Sequence, residues 1–304
     1  MKDNIVNRRA FSRRLVFSFL FPLFSFLFFI ACSSAPARTG EVVVDRDTSL
    51  RQLNLATQAA NRGRYEDALL FLDEARRLAV SADDPVMRMR TSISRGNFLF
   101  ALGHEDAAFE EWEAAAAEGD AAGLALLASL ARIYSIRASL MLLDRDENTA
   151  AALSSAQDYI TRINREMAIV RTDQMAAAAA FITLGLAEKQ LGRWAEAEGA
   201  LRRALEIYER NFYLEDAAYT WFLIGAVRSV SGRHDAALEA LRIAIGFDRR
   251  AENGYGLASS WQAMGGVYLN AGRHNESQAA FRRAEEIFRA IGLNQHAERI
   301  SNRL

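Results

Sequence analysis

The stretch WQAMGGVYLNAGRHNESQAAF, residues 261–281, gathers residue types suited to chemistry. Gly265, Gly266 and Gly272 could form a loop that cradles a phosphate, and Arg273-His274 could supply charge and a proton relay. The other histidines are His104, His234 and His296, and the single cysteine is Cys32. His234 and His274 lie 40 residues apart, at positions where Tyr65 and Trp194 stand elsewhere, so they read as replacements for packing aromatics. Zinc bonds of about 2.0–2.1 Å need ligand nitrogens within about 4 Å of each other, whereas neighbouring helix axes lie about 8–10 Å apart. No metal site is therefore expected. Asp45-Arg46-Asp47 and Asp144-Arg145-Asp146 are acidic pairs without the remainder of a calcium loop. Nothing matches a Ser-centred hydrolase elbow or a phosphate loop. No catalytic residue and no cofactor is assigned.

The elements that carry these residues are helical. Prolines occur only at positions 22, 36 and 85 of the 304 residues, and Ala, Leu, Arg and Glu abound. The alternating pattern of a strand is missing beyond Val42-Val43-Val44. The formal net charge is −1, and without residues 1–32 it becomes −5. That balance argues against a nucleic-acid binder held by counterion release. Almost all the basic residues are Arg, and the Glu-rich helix faces read as solvated charge with i,i+4 pairing.

A repeat organises the chain. Gly63 and Gly103 are 40 residues apart, and so are Gly192, Gly232 and Gly272. Seven residues before four of these lie Gly96, Gly185, Gly225 and Gly265. Phe181, Trp221 and Trp261 sit four residues further upstream, and Ala68, Ala108, Ala197 and Ala237 five residues downstream, with Ser277 in the last copy. The last copy reads Trp261-x2-Met264-Gly265-x2-Tyr268, then Ser277-x3-Phe281. It resembles the tetratricopeptide repeat, W-x2-L-G-x2-Y followed by A-x3-F. The resemblance implies an all-α superhelix of helix–turn–helix units. In it the inner glycines mark helix crossings, the outer glycines end first helices, and the alanines mark close packing.

Six repeats are expected, near residues 49–80, 89–117, 121–166, 174–210, 214–249 and 256–290, the third degenerate and lacking both glycines. The period of 40 exceeds the usual 34, and longer helices or connections such as RRAENGYG at 249–256 would absorb the difference. Residues 291–304 should form a capping helix, with Leu293, Ala297, Ile300 and Leu304 facing the last repeat. Phe212, Tyr213 and Tyr255 are candidates for contacts between copies. The family binds partners in its concave groove. Carried over, that groove takes Leu53 and Thr57 from the first repeat and Ile93, Asn97 and Phe100 from the second. The fourth gives Ile182, Leu186 and Lys189, the fifth Tyr219, Phe222 and Ala226, and the sixth Gln262 and Gly266. Only Asn97 matches the family's carboxylate clamp, so the expected occupant is an apolar peptide, helix or lipid-like solute.

The N-terminus adds a membrane address. Residues 1–14 are basic, Leu15–Ala31 are apolar, and Cys32 follows at once. Phe29-Ile30-Ala31-Cys32 resembles the lipobox of a bacterial lipoprotein, departing from it at Phe29. The resemblance implies a signal peptide over 1–31, acylation of Cys32, and a tether over 32–48. Several acyl chains anchor stably, at about 0.8 kcal/mol for each buried CH₂. An uncleaved membrane helix is the alternative. Ser33 in place of Asp points to the outer membrane, facing the periplasm. Asn7-Arg8-Arg9 also resembles a twin-arginine signal. The expected function is a non-catalytic, lipid-anchored adaptor that binds envelope proteins. The alternative is a ligand-binding component of a solute transport system.

Overall fold

In a computed structural model of the chain, the described residues are 40–143 and 149–301. The expected signal peptide, Cys32 and Asp144-Arg145-Asp146 lie outside them, as does Leu304. Among the described residues every regular element is a helix. In order they are α1 (Gly40–Asn61), α2 (Tyr65–Ser81), α3 (Pro85–Ala101), α4 (Glu105–Ala121), α5 (Ala125–Leu143), α6 (Thr149–Val170) and α7 (Gln174–Gln190). Then come α8 (Trp194–Arg210), α9 (Leu214–Val230), α10 (His234–Arg250), α11 (Gly254–Asn270), α12 (His274–Ala290) and α13 (Asn294–Ser301). Residues 45–304 form one compact unit.

The turns set the register. From α2 to α4, and again from α7 to α12, each helix is 17 residues long and three residues separate it from the next. The second turn residue adopts positive φ: Gly63, Gly103, Gly192, Gly232 and Gly272 within repeats, and Asp83, Gly123, Phe212, Glu252 and Gly292 between them. The third donates its N–H to a carbonyl five residues back, as His104 does to that of Leu99 at 2.9 Å and Asn253 to that of Asp248 at 3.0 Å. This is the Schellman arrangement, which satisfies carbonyls the helix leaves open. The stretch 249–256 is therefore not a long connection, because only residues 251–253 leave the helix. The six residues beyond the usual period lengthen the helices instead, to about 25 Å each.

Within a repeat the two helices cross at the inner glycines. A methyl on Gly96 would lie 2.5 Å from the Trp112 indole nitrogen, and one on Gly265 would lie 2.7 Å from the Phe281 ring. Leu201 and Leu241 fill the same place opposite Gly185 and Gly225, at 2.8 and 2.9 Å. Ala68, Ala108, Ala197 and Ala237 are fully buried on the facing helices. Ser277 replaces that alanine, and its buried hydroxyl donates to the Gly265 carbonyl at 2.8 Å. Trp221 and Trp261 are half-buried against the core between repeats. The degenerate third repeat is α5 and α6. The apolar α5 buries Ile133, Ile136 and Leu140 against neighbouring helices. The cap is α13, with Ala297 and Ile300 packed on Phe288.

Residues 40–48, expected as a tether, are helical. Between Gly40 and Gly63 neither Gly nor Pro interrupts the chain, so nothing stops α1 from extending. From Asp45 onward it has partners. Arg46 pairs with Asp84 at 3.2 Å, and the buried Ser49 hydroxyl donates to the Ala75 carbonyl at 2.8 Å.

The first repeat meets the last. Asn61 donates its amide N–H to Glu215 at 2.6 Å, Arg62 pairs with Glu252 at 3.5 Å, and Tyr65 meets Tyr255 edge-on at 6.4 Å. The turn carrying Gly63 rests on the carbonyl of Ile291, so a Cβ on Gly63 would run into that oxygen. Gly103 has the same left-handed backbone and open space around it. Gly103→Ala should therefore cost about 1–2 kcal/mol, the left-handed penalty alone. Gly63→Ala should cost at least about 1 kcal/mol more, because the carbonyl must also move. Urea denaturation of both variants checks this; equal losses would mean the first turn does not bear on Ile291.

Candidate functional site

The inward faces of the first helices converge on one cavity of about 550 Å³, half-enclosed. Helix α3 contributes Asn97, Phe100 and Ala101, and α5 contributes Tyr134, Arg137, Ala138 and Met141. The i, i+3, i+4 spacing places each set on one helix face. Helix α9 adds Asp216, Tyr219 and Phe222, and α11 adds Tyr255, Gly256, Ser259 and Ser260. Ala218 of α9, Trp112 of α4, Asp248 of α10 and Asn253 of the following turn complete the lining. The Tyr219 and Phe222 rings stack, 13° from parallel at 6.3 Å. Burial holds the Tyr134 and Tyr219 phenols neutral by pushing both up.

Of the groove residues expected from the sequence, Asn97, Phe100, Tyr219 and Phe222 come together here. Ile93 and Ile182 do not: at 4% and 1% exposure they belong to the core. Trp112 covers Ile93, donating its indole N–H to the Ile93 carbonyl at 3.2 Å. Ile182 is enclosed by the core between α7, α8 and α9. Leu186 packs partly into that core, and Lys189, Gln262 and Gly266 are half-buried outside the cavity. Leu53 packs against the first repeat's own core, and the Thr57 hydroxyl donates to the Leu53 carbonyl.

The lumen is also not apolar, because charged residues enter it from positions outside the expected set. Arg137 is held by the Ala179 carbonyl at 2.8 Å and the Thr183 hydroxyl at 3.3 Å, with its guanidinium 4.8 Å from the centre of the Tyr134 ring. It stands 40 residues after Asn97, so the period could have revealed it, but the third repeat lacks the glycines that mark register. Asp216 lies in the first turn of α9, and Asp248 near the end of a second helix. No groove pattern points to either.

The two aspartates are electrostatically unsettled. Burial raises the Asp216 carboxyl, against the pull of Arg137. Asp248 is 2% exposed and accepts the Asn253 side-chain N–H at 2.8 Å. Burial pushes it up to about 7, with the nearby Glu215 adding to the rise. Glu215 is itself raised by burial and by Asp216, with the Asn61 hydrogen bond opposing. On the outer surface the balance reverses. Burial would raise Glu198, but hydrogen bonds from Arg228 and Arg202 outweigh it and hold the carboxyl at about 2.

A carboxyl whose folded pKa exceeds its unfolded value stabilises the fold at low pH, and that contribution is lost as pH rises through the folded value. For Asp248 the window runs from about 4 to about 7. Asp248→Asn keeps an acceptor for Asn253 and removes the titration. The variant should gain over the wild type as pH rises from 4 to 8, by on the order of 4 kcal/mol at most. Melting curves of both proteins at pH 5 and 8 test this; a constant gap would show that Asp248 is not held neutral.

Comparisons with known proteins agree with this architecture. The tetratricopeptide-repeat family model matches residues 258–290, the last repeat. Comparison with curated proteins gives no match. Among solved structures, a Rap protein complexed with Competence and Sporulation Factor is 14% identical at a TM-score of 0.52, over 84% of this chain and 74% of that one. A thermophilic tetratricopeptide protein of Thermus thermophilus, TTC0263, is 20% identical at a TM-score of 0.47, over 69% and 98% of the two chains. BtubC from P. vanneervenii is 19% identical at a TM-score of 0.45, over 80% and 92%. These likenesses concern the fold, an all-helical solenoid of tetratricopeptide type.

Proposed function

We propose that the chain is a non-catalytic binding scaffold of the bacterial cell envelope, anchored through lipid on Cys32, that captures a peptide segment of a partner protein in its lumen. The cavity carries the reading. Its volume of about 550 Å³ falls within the range of about 300–1,000 Å³ common for ligand sites. Helices from four repeats line it with rings and a few converging polar groups. A fold of the same class, the Rap protein, is known in complex with Competence and Sporulation Factor. The anchor rests on the basic segment, the apolar run Leu15–Ala31 and the cysteine directly after it.

The contact of Asn61, Arg62 and Tyr65 with the fifth and sixth repeats favours a second reading, a ligand-binding component of a solute transport system. A superhelix whose ends meet encloses a small ligand better than it admits a long helix. Isolation of the protein from membranes, with cross-linking and mass spectrometry, separates the two by what is recovered.

Ser259 lines the cavity, half-buried, so Ser259→Trp fills the lumen without entering the packed core. The variant should keep its helical content and its melting temperature within a few degrees, and lose at least tenfold in partner recovered. Unchanged recovery would place binding elsewhere on the protein. Cys32→Ser should shift the protein from the membrane fraction to the soluble periplasmic fraction, where an immunoblot reads it; retention in the membrane would count against lipidation.

A further inference from the structure

The surface and the lumen treat carboxylates differently. Outside, arginines are drawn to them: Glu198 meets Arg202, Arg228 and Arg233 at 2.7, 2.8 and 3.1 Å. Glu111 meets Arg76 and Arg95 at 3.3 and 3.1 Å. Inside, Asp216 and Asp248 have no ion-pair partner among the described residues. Asp248 has only the neutral amide of Asn253, and Asp216 feels Arg137 through space. Among the described residues Arg137 is the one cation in the lining, and its guanidinium is already engaged by Ala179, Thr183 and the Tyr134 ring. An arginine-rich chain thus leaves two carboxylates uncompensated where its walls are aromatic.

We infer that the lumen receives the guanidinium or ammonium group of an arginine or lysine in a partner peptide, with Asp216 and Asp248 as its counter-charges. The inference rests on the reading that the lumen is the binding site, and it names the chemistry of the occupant. Three observations carry it. The half-enclosed cavity sets two buried carboxyls against one guanidinium that is already engaged, and an arriving cation favours their charged forms. The half-buried rings of Tyr219, Phe222 and Tyr255 offer aromatic surface to a cation and apolar surface to the stem that carries it. Asn97 and Ser259 stand among them with amide and hydroxyl groups suited to a peptide backbone. An anionic ligand would meet two carboxylates, and a purely apolar one would seal them away from water.

A purely structural role for Asp248 is a poor account of it. An asparagine would accept the same hydrogen bond from Asn253 without a charge to bury, so the fold alone gives no reason for the carboxylate. A buried carboxyl without a cationic partner, set in the lining of a cavity, is a mark of a site kept for binding.

The test uses the full chain in detergent and three blocked tripeptides, N-acetyl-Leu-X-Leu-amide, with X as arginine, citrulline or glutamate. Citrulline keeps the shape of arginine and removes its charge. Calorimetry should show the arginine peptide binding at least tenfold tighter than the citrulline peptide, with the glutamate peptide weakest. In Asp216→Asn and Asp248→Asn the preference for arginine over citrulline should fall to threefold or less, while circular dichroism remains that of the wild type. Ser259→Trp should abolish binding of all three. Equal affinity for arginine and citrulline peptides, still lost in Ser259→Trp, would overturn the inference and leave the lumen as the site. Binding that survives Ser259→Trp, or no binding by any peptide, would overturn both. Agmatine, a free guanidinium without a backbone, separates the sources: if it binds as tightly as the arginine peptide, a peptide partner is ruled out.

Discussion

The three-residue turn is the constraint on which the architecture depends. It closes one 17-residue helix and opens the next with a single left-handed residue and one N–H returned to a carbonyl five residues back. Where the spacing of 20 is kept, a residue and its counterpart 40 positions on occupy the same place in successive units. That is why Gly185, Gly225 and Gly265 meet Leu201, Leu241 and Phe281 in the same way, and why the inward faces stack into one lining. Within repeats the left-handed position is glycine and carries little strain. Between repeats Gly123 and Gly292 do the same, but Asp83, Phe212 and Glu252 hold the other three positions, each against an ordinary preference of about 1–2 kcal/mol. Phe212 does so while 84% exposed, so its own burial does not offset the strain. The hydrogen bonds of the turn and the packing of both flanking helices must do so.

Lengthening the helices, rather than the connections, has a consequence for shape within the 45–304 unit. Its first repeat reaches Glu215, Glu252, Tyr255 and Ile291 and rests on them. An open groove would let water screen charges on the inner face. Here the inner face carries carboxyls raised by burial, while the outer face holds Glu198 at about 2 among three arginines. Carboxyls thus behave oppositely on the two sides because arginines hydrogen-bond Glu198, whereas burial outweighs the partners that Asp216 and Asp248 have.

Much of the scaffold was legible from glycine alone, since the sequence marks with glycine both the crossing and the turn inside four of the six repeats. Three turns between repeats were not legible, because Asp83, Phe212 and Glu252 resemble ordinary surface residues. For the same reason RRAENGYG reads as a connection, although Arg249 and Arg250 end one helix and Gly254 begins another. The lumen was half legible. Asn97, Phe100, Tyr219 and Phe222 follow from the family's groove pattern. Ile93 and Ile182 follow the same pattern yet are covered by Trp112 and by the packing of α8 and α9. A pattern of positions places a residue on a face; how far the next helix overhangs that face depends on packing. Arg137 was hidden by missing glycines, and Asp248 by its place on a second helix.

The lumen and the closing contact are not electrically independent. Asn61, on the first repeat, donates to Glu215 and favours its charged form, while burial and Asp216 oppose that charge. Glu215 in turn raises Asp248, whose carboxyl lies in the lining. A charge at Asp248 therefore bears on the same glutamate that receives the first repeat. Neutralising Asp248, by a proton or by a cation, reduces repulsion at Glu215 and makes the charged acceptor for Asn61 easier to keep. The contact that closes the superhelix and the neutralised state of Asp248 then favour one another, through a residue that belongs to both. This coupling requires no movement of the backbone. It follows from placing three carboxyls, Glu215, Asp216 and Asp248, where water is scarce and a single arginine is near.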